Sequence, residues 1–193
     1  MDALPTQPLV PDRECGSCNV CCVALTIDDP AMQKLQGIRC RNALPDHRCA
    51  IYDARPQTCR TYFCGWRQLK WIRPTLRPDT SGVLVRLQHE PPRSTYAQRI
   101  GVIFTLLTGA ALKAEGLAES VAAGVAAEVP VYLAIPGPPG YTGGQAQIND
   151  ALRDAVFLKD KAEVLRILQQ ARTEGRKGKP QPIILKRPPP PTR

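Results

Sequence analysis

The amino-acid sequence predicts an α+β protein: a small irregular cysteine-rich module joined to a mixed α/β layer, with a disordered C-terminal tail. Three observations carry the prediction. All eight cysteines lie between positions 15 and 64, and the remainder of the 193 residues has none. The stretch that follows alternates β-branched runs with alanine- and leucine-rich ones, the patterns of strands and packed helices. From Arg172 onward the composition turns to Pro, Gly and Lys/Arg. These changes divide the chain into an N-terminal extension (1–11), a cysteine module (12–76), a small α+β region (77–171) and a tail (172–193). One domain with an appendage fits the length, since domains run to roughly 100–200 residues.

Within the module, VALTI (23–27) reads as a short strand. DDPAMQKLQG (28–37) carries a helix start signal, with Asp29 as N-cap, Pro30 at the first helical position and Gly37 as the stop. Pro56 opens a second short helix, PQTCRTYF (56–63), which carries Cys59. Beyond the module, VLVRLQ (83–88) alternates as a half-buried strand does, and RIGVIFTLL (99–107) is a longer β-branched run. HEPPRSTYAQ (89–98) is the loop between them. In AALKAEGLAESVAAGVAAE (110–128), Leu117, Val121 and Val125 stand four apart among alanines and mark a packed helix. PVYLAI (130–135) is a buried strand, and PGPPGYTGGQ (136–145) is a loop. Asn149 and Asp150 cap a last helix whose inner stripe is Leu152, Ala155, Leu158, Ala162, Leu165 and Leu168.

The formal net charge of +9 is unevenly spread, because seven Lys/Arg and one Glu lie between Arg172 and Arg193. Such a basic, Pro-rich segment buries too little apolar surface to offset its ordering entropy, so a solvated, disordered tail is expected. Ile183, Ile184 and Leu185 are its one apolar cluster and the one place where it could dock as an edge strand. The longest apolar run, GVIFTLLTGAAL (101–112), is shorter than the ~20 residues that cross a bilayer. The first residues have neither the basic start nor the apolar stretch of an export signal. A cytoplasmic protein with no membrane partner is expected.

Four of the cysteines are packed into CGSCNVCC (15–22). Disulfides are the first explanation to weigh, but they belong to oxidising compartments, and the adjacent pair Cys21 and Cys22 is badly placed to bridge. Metal explains the crowding better. Each Cys-x2-Cys step turns two sulfurs toward one point, and Cys15, Cys18 and Cys21 make two such steps in succession. Cys22 then faces another centre or another edge of the same one. The later cysteines, at 40, 49, 59 and 64, form no second knuckle, which argues against a zinc ribbon or RING arrangement. Absence of the C-x3-C-P ending likewise separates the run from bacterial ferredoxins. Zinc, iron and an iron–sulfur cluster all suit such a donor set. Nine Lys/Arg against two Asp between Arg39 and Arg77 supply the charge that bound thiolates leave uncompensated. Arg67, Lys70, Arg73 and Arg77 read equally as part of that compensation or as a face for an acidic partner or substrate.

CGSCNVCC, Cys40, CAIYDARPQTCR (49–60), Cys64 and Trp66 together resemble the YkgJ-type cysteine-cluster family, which carries a CxxCxxCC zinc- or iron-chelating domain. The resemblance covers about residues 12–67 and extends toward RPDTSGVLVR (77–86). It implies that Cys15, Cys18, Cys21, Cys22, Cys40, Cys49, Cys59 and Cys64 are the ligand set, with Tyr52, Arg55 and Pro56 as supports. More distantly the cluster is similar to that of a flagellin lysine N-methylase group, for which an iron–sulfur centre and S-adenosylmethionine are implied. Nothing in 68–193 resembles a methyltransferase fold with a glycine-rich cofactor loop.

His47, two residues before Cys49, reads as a bystander beside eight sufficient thiols, and His89 as a surface residue at a strand end. GPPGYTGG (137–144) lacks the Gly-Lys-Ser/Thr ending of a phosphate loop. Trp66 and Trp71 beside basic residues suit either base stacking or, more plainly, the packing of module on layer. No paired-carboxylate or Ser-His-Asp pattern appears. Three readings result: a metal-binding protein whose site is mainly structural and whose remainder presents a binding surface, an iron–sulfur enzyme of the protein-modifying type, and a nucleic-acid-binding zinc protein.

Overall fold

The computed structural model describes residues 8–90 and 96–186. In chain order the cysteine-rich segment forms α1 (Cys21–Ala24), a hairpin of β1 (Ile27–Asp29) and β2 (Met32–Lys34), α2 (Gln57–Thr61) and α3 (Gly65–Gln68). A 3-10 turn at Pro74–Leu76 and α4 (Pro78–Ser81) lead to β3 (Val83–His89) and β4 (Ile100–Leu106). The chain continues through a 3-10 turn at Ala110–Lys113, α5 (Leu117–Ala126), β5 (Val131–Ile135), β6 (Gly144–Gln147), α6 (Asn149–Phe157) and α7 (Lys161–Gly175). Mixed α+β architecture is therefore as the sequence predicts. Among the described residues no helix is long and apolar enough to cross a membrane.

β3, β4, β5 and β6 lie side by side in that order. The central pair, β4 and β5, is parallel and joined through α5, and the outer pairs are antiparallel. Register puts Val85 opposite Phe104 and Phe104 opposite Leu133. Because strand side chains alternate, these residues share one face with Val83, Val102, Leu106 and Val131. Against this face pack Leu117 and Val121 of α5, Leu152 and Ala155 of α6, and Val164 and Leu168 of α7. Trp66, Leu69, Ile72 and Leu76 close the same core from the cysteine-rich side. Full burial of a side chain such as Phe104 contributes about 1.5–3 kcal/mol. Trp71 packs on Phe104, with ring centroids 6.5 Å apart, and Trp66 is buried with Nε1 donating to the Pro74 carbonyl at 2.9 Å. Both indoles thus serve packing, Trp66 buried and Trp71 half-buried.

The opposite face carries Leu84, Ile103, Thr105 and Ala134, and all four are buried. Ala24 and Gln36 of the cysteine-rich segment face it across a small cavity. That segment is therefore a layer of the fold, fixed to the 136–143 loop by Gly140 N donating to the Gln36 carbonyl at 2.9 Å.

Several local expectations are corrected. Residues 23–27 are not a strand: α1 ends at Ala24 and β1 begins at Ile27. Residues 28–37 form a hairpin rather than a helix. Asp29 Oδ1 accepts from Ala31 N at 2.9 Å, making a side-chain-supported turn over Pro30, while Met32 and Lys34 alternate inward. Gly37, expected to stop that helix, instead turns the chain after the hairpin, at φ +74. Gly116, at φ +84 and pressed against Arg73, splits 110–128 into a 3-10 turn and α5. Lys159, at φ +57, splits the last helix into α6 and α7, so Leu158 is exposed and Ala162 lies outside the stripe. Asn149 is no cap. Its side chain accepts from Val131 N and donates to the Val129 carbonyl, both at 2.7 Å, and so pins β5.

The 136–145 loop ends in an edge strand, β6, that its polar sequence conceals. Residues 172–175 complete α7, and 176–186 follow a defined path in place of the disorder expected for the tail. Thr142 N donates to Gln181 O, Ile183 N to Gly140 O, and Lys186 N to Asp28 Oδ2. Residues 91–95 of the predicted loop and 187–193 of the tail lie outside the described residues.

Candidate metal centre

The first cysteines are positioned by turns. Gly16 adopts φ +52, and Cys18 N donates to the Cys15 carbonyl at 2.8 Å, so the chain doubles back between the two thiols. Cys22 N then donates to the Asn19 carbonyl and opens α1. On a helix adjacent residues leave the axis about 100° apart, so Cys21 and Cys22 start in different directions although their thiols stay within hydrogen-bond reach.

Each direction meets a different set of partners. On one side, Arg13 donates to the carbonyls of Trp66 (2.6 Å), Leu69 (3.2 Å) and Ile72 (2.6 Å) and draws the start of the cysteine run onto α3. Cys64 stands at the N-terminal flank of α3, and its thiol feels the charges of Cys15 and Cys18. Cys21 likewise feels Cys18 and Cys15. On the other side, Cys40 N donates to the Cys22 carbonyl at 2.8 Å. A tight loop bridged between Ala43 and Cys49 returns Cys49 toward Cys40, and α2 brings Cys59 within electrostatic reach of Cys22, Cys40 and Cys49. Cys21 and Cys64 thus lie within electrostatic reach of Cys15 and Cys18, and Cys59 within reach of Cys22, Cys40 and Cys49. Cys21 and Cys22 meet, the Cys21 thiol donating to the Cys22 sulfur.

All eight cysteines are free thiols, with no disulfide among them. Among the described residues, no three His, Cys, Asp or Glu side chains converge closely enough to hold a metal ion as they stand. The donor chemistry nevertheless suits thiophilic ions, since soft, mostly half-buried thiols are the ligands that tetrahedral zinc or iron–sulfur centres take.

Electrostatics distinguish the thiols. Cys22 is brought down to about 6, first by the hydrogen bond from Cys21 and then by Lys34, Arg55 and Arg39, against the opposing effect of burial. The same hydrogen bond, burial and the neighbouring sulfurs push Cys21 far up. Burial pushes Cys64 up to about 11, and burial raises Cys18 and Cys59 as well.

Two cations that sequence reasoning missed sit beside these thiols. Buried Lys34 donates to the carbonyls of Val23, Leu25, Leu35 and Ile38 at 2.6–3.0 Å and lies within reach of Cys40, Cys22 and Cys21. Buried Arg13 is within reach of Cys64. The inward alternation of Met32 and Lys34 was the available signal for the first; Arg13 has none. Arg77 Nη2 donates to the Cys15 carbonyl at 2.9 Å, so one of the four basic residues weighed earlier touches the site. Arg55 lies 3.6 Å over the Tyr52 ring, donates to its carbonyl and reaches Cys22 electrostatically, while Pro56 begins α2.

His47 is exposed at φ +68, its Nδ1 3.2 Å from Asn19 Oδ1. His89 ends β3, exposed and remote in sequence from the thiols. Comparison with family models, with curated proteins and with solved structures returned no match.

Proposed function

We propose that the chain is a metal-binding protein whose eight cysteines hold zinc or iron, the iron either as single ions or as an iron–sulfur cluster, in two four-sulfur centres. The observation that carries this reading is that all eight cysteines are free, with backbone bonds drawing Cys18 to Cys15 and Cys40 to Cys22. Bound thiolates leave excess negative charge, and Arg13, Lys34, Arg39 and Arg55 stand where they would offset it. Resemblance of CGSCNVCC and CAIYDARPQTCR to the YkgJ-type motif supports the same ligand set.

The role is mainly structural. The cysteine-rich segment has only short helices and a three-residue hairpin, and a metal contributing on the order of 10 kcal/mol would fix it. The sheet and its helices would then present the binding surface.

Anaerobic purification with an absorption spectrum and elemental analysis tests the reading. About two zinc per chain in a colourless protein fits four-coordinate thiolate sites. Iron with acid-labile sulfide in a brown protein fits the cluster form and favours the iron–sulfur enzyme. A native preparation free of transition metals would end the proposal.

A further inference from the structure

Arg86 lies on β3 between Val85 and Leu87, which both face the core, so its side chain points to the opposite face of the sheet. There it lines a cavity of about 190 Å³ closed by Ala24 and Gln36 on one side and by Thr105, Ala134 and Gln145 on the other. Its guanidinium has five N–H donors. Among the described residues only Nε has a partner, Thr105 Oγ1 at 3.2 Å, and no carboxylate pairs with it. The amides nearby are turned elsewhere: Gln36 donates to the Tyr141 carbonyl and Gln145 to Gln88 Oε1. Within electrostatic reach of Arg86, the buried hydroxyl of Tyr62 also has no hydrogen-bond partner.

Partial burial of a cation without a counter-charge is costly, and an anionic ligand would supply the missing charge. Burial works against the charge of Arg86, and among the described residues no carboxylate offsets it. Lys34 and Arg13, the other enclosed cations, are each satisfied by several backbone carbonyls; Arg86 is not. Leu84 and Ala134 make part of the wall apolar, which strengthens any charge pairing inside.

We propose that this cavity is an oxyanion-binding site, in which Arg86 holds the carboxylate or phosphate group of a small molecule and the Thr105 hydroxyl donates to it. The two sources share three features: negative charge, oxygens spaced for a guanidinium fork, and a size that 190 Å³ admits. The cysteine-rich layer supplies one wall of the cavity through Ala24 and Gln36, but no cysteine lines it.

The test is titration calorimetry of the full, metal-loaded protein with sodium acetate and, separately, with inorganic phosphate, at constant ionic strength, with melting temperature followed in parallel. One saturable site for at least one of the two anions is expected, and the arm that saturates names the source. Arg86→Gln should weaken that binding at least ten-fold while melting no lower than wild type in anion-free buffer, because it removes an uncompensated charge. Arg86→Lys should keep part of the phosphate affinity but little of the carboxylate affinity, having lost the planar fork. Thr105→Val provides a second weakened variant should Arg86→Gln fail to fold. No saturable binding of either anion to the wild type, or unchanged binding in both Arg86→Lys and Thr105→Val, would overturn the proposal.

Discussion

Arg13 and Trp66 meet twice: the guanidinium donates to the Trp66 carbonyl at 2.6 Å and lies 5.5 Å from the centre of the same residue's indole ring. With its further bonds to Leu69, Lys70 and Ile72, this one side chain organises the turn after α3. Arg13→Ala leaves buried carbonyls unsatisfied and should cost about 1–3 kcal/mol in urea unfolding. Arg13→Lys should recover less than half of that, since one ammonium cannot reproduce a fork across four acceptors. Equal stability of Arg13→Lys and wild type would contradict the assignment.

Gly65 permits the close approach of α3 to β3. A Cβ there would stand 2.5 Å from Val85 Cγ1. Gly65→Ala should therefore destabilise by about 1–3 kcal/mol through overpacking and, by shifting adjacent Cys64, lower the bound metal. Val85→Ala added to Gly65→Ala should relieve the clash, so that the double variant is more stable than the two single effects added together predict. Simple additivity in a denaturation cycle would refute the contact.

Cysteine reactivity should sort by pH in reduced, chelator-treated protein. Thiolate is the nucleophile, and its fraction rises as pH passes upward through the folded-state pKa. Cys22, held near 6, should alkylate first, already at about pH 6, whereas Cys64, pushed up to about 11, should remain among the slowest through neutral pH. Peptide mass spectrometry after short iodoacetamide pulses reads the order. Simultaneous labelling of all eight would sink it.

Metal content should fall in steps that follow the two proposed centres, Cys15, Cys18, Cys21 and Cys64 in one and Cys22, Cys40, Cys49 and Cys59 in the other. Cys64→Ser and Cys22→Ser should each remove about half of the metal, consistent with separate four-sulfur sites. Pairing Cys64→Ser with Cys15→Ser should remove no more than either alone, while pairing it with Cys59→Ser should empty both centres. Elemental analysis of the folded variants checks this, and an unchanged total in Cys22→Ser would remove that sulfur from the ligand set.

Periodicity in the sequence revealed β3, β4 and β5, because VLVRLQ, RIGVIFTLL and PVYLAI each bury residues in alternation or in a run. Pro56 announced α2. Failure came where a local signal had two uses. Asp29-Pro30 opens helices and also turns hairpins, and the inward pair Met32 and Lys34 decided for the hairpin. GQAQ in β6 has no apolar alternation because its edge position leaves it mostly exposed. Lys159 took a positive φ that nothing in its neighbours announced.

For the site, the candidate thiols were readable as residue types, but their placement relative to one another was not. Cys64 reaches Cys15 only after Arg13 has engaged α3, and Cys40 reaches Cys22 only through a backbone bond across the hairpin. Arg86 was hidden for the same reason. Its strand face looks solvent-bound until the cysteine-rich layer is laid over it.

The bond from Lys186 N to Asp28 Oδ2 joins residues 158 positions apart and has a temporal consequence. Thiols at 15 to 22 leave the ribosome early, yet the strand of chain that straps their hairpin to the sheet is synthesised more than a hundred residues later. At typical elongation rates of about 5–20 residues per second, the hairpin beside the nascent cysteines waits roughly 8–30 s for that strap. Whatever the thiols encounter before the strap arrives, a cation or an oxidant, meets them without that support.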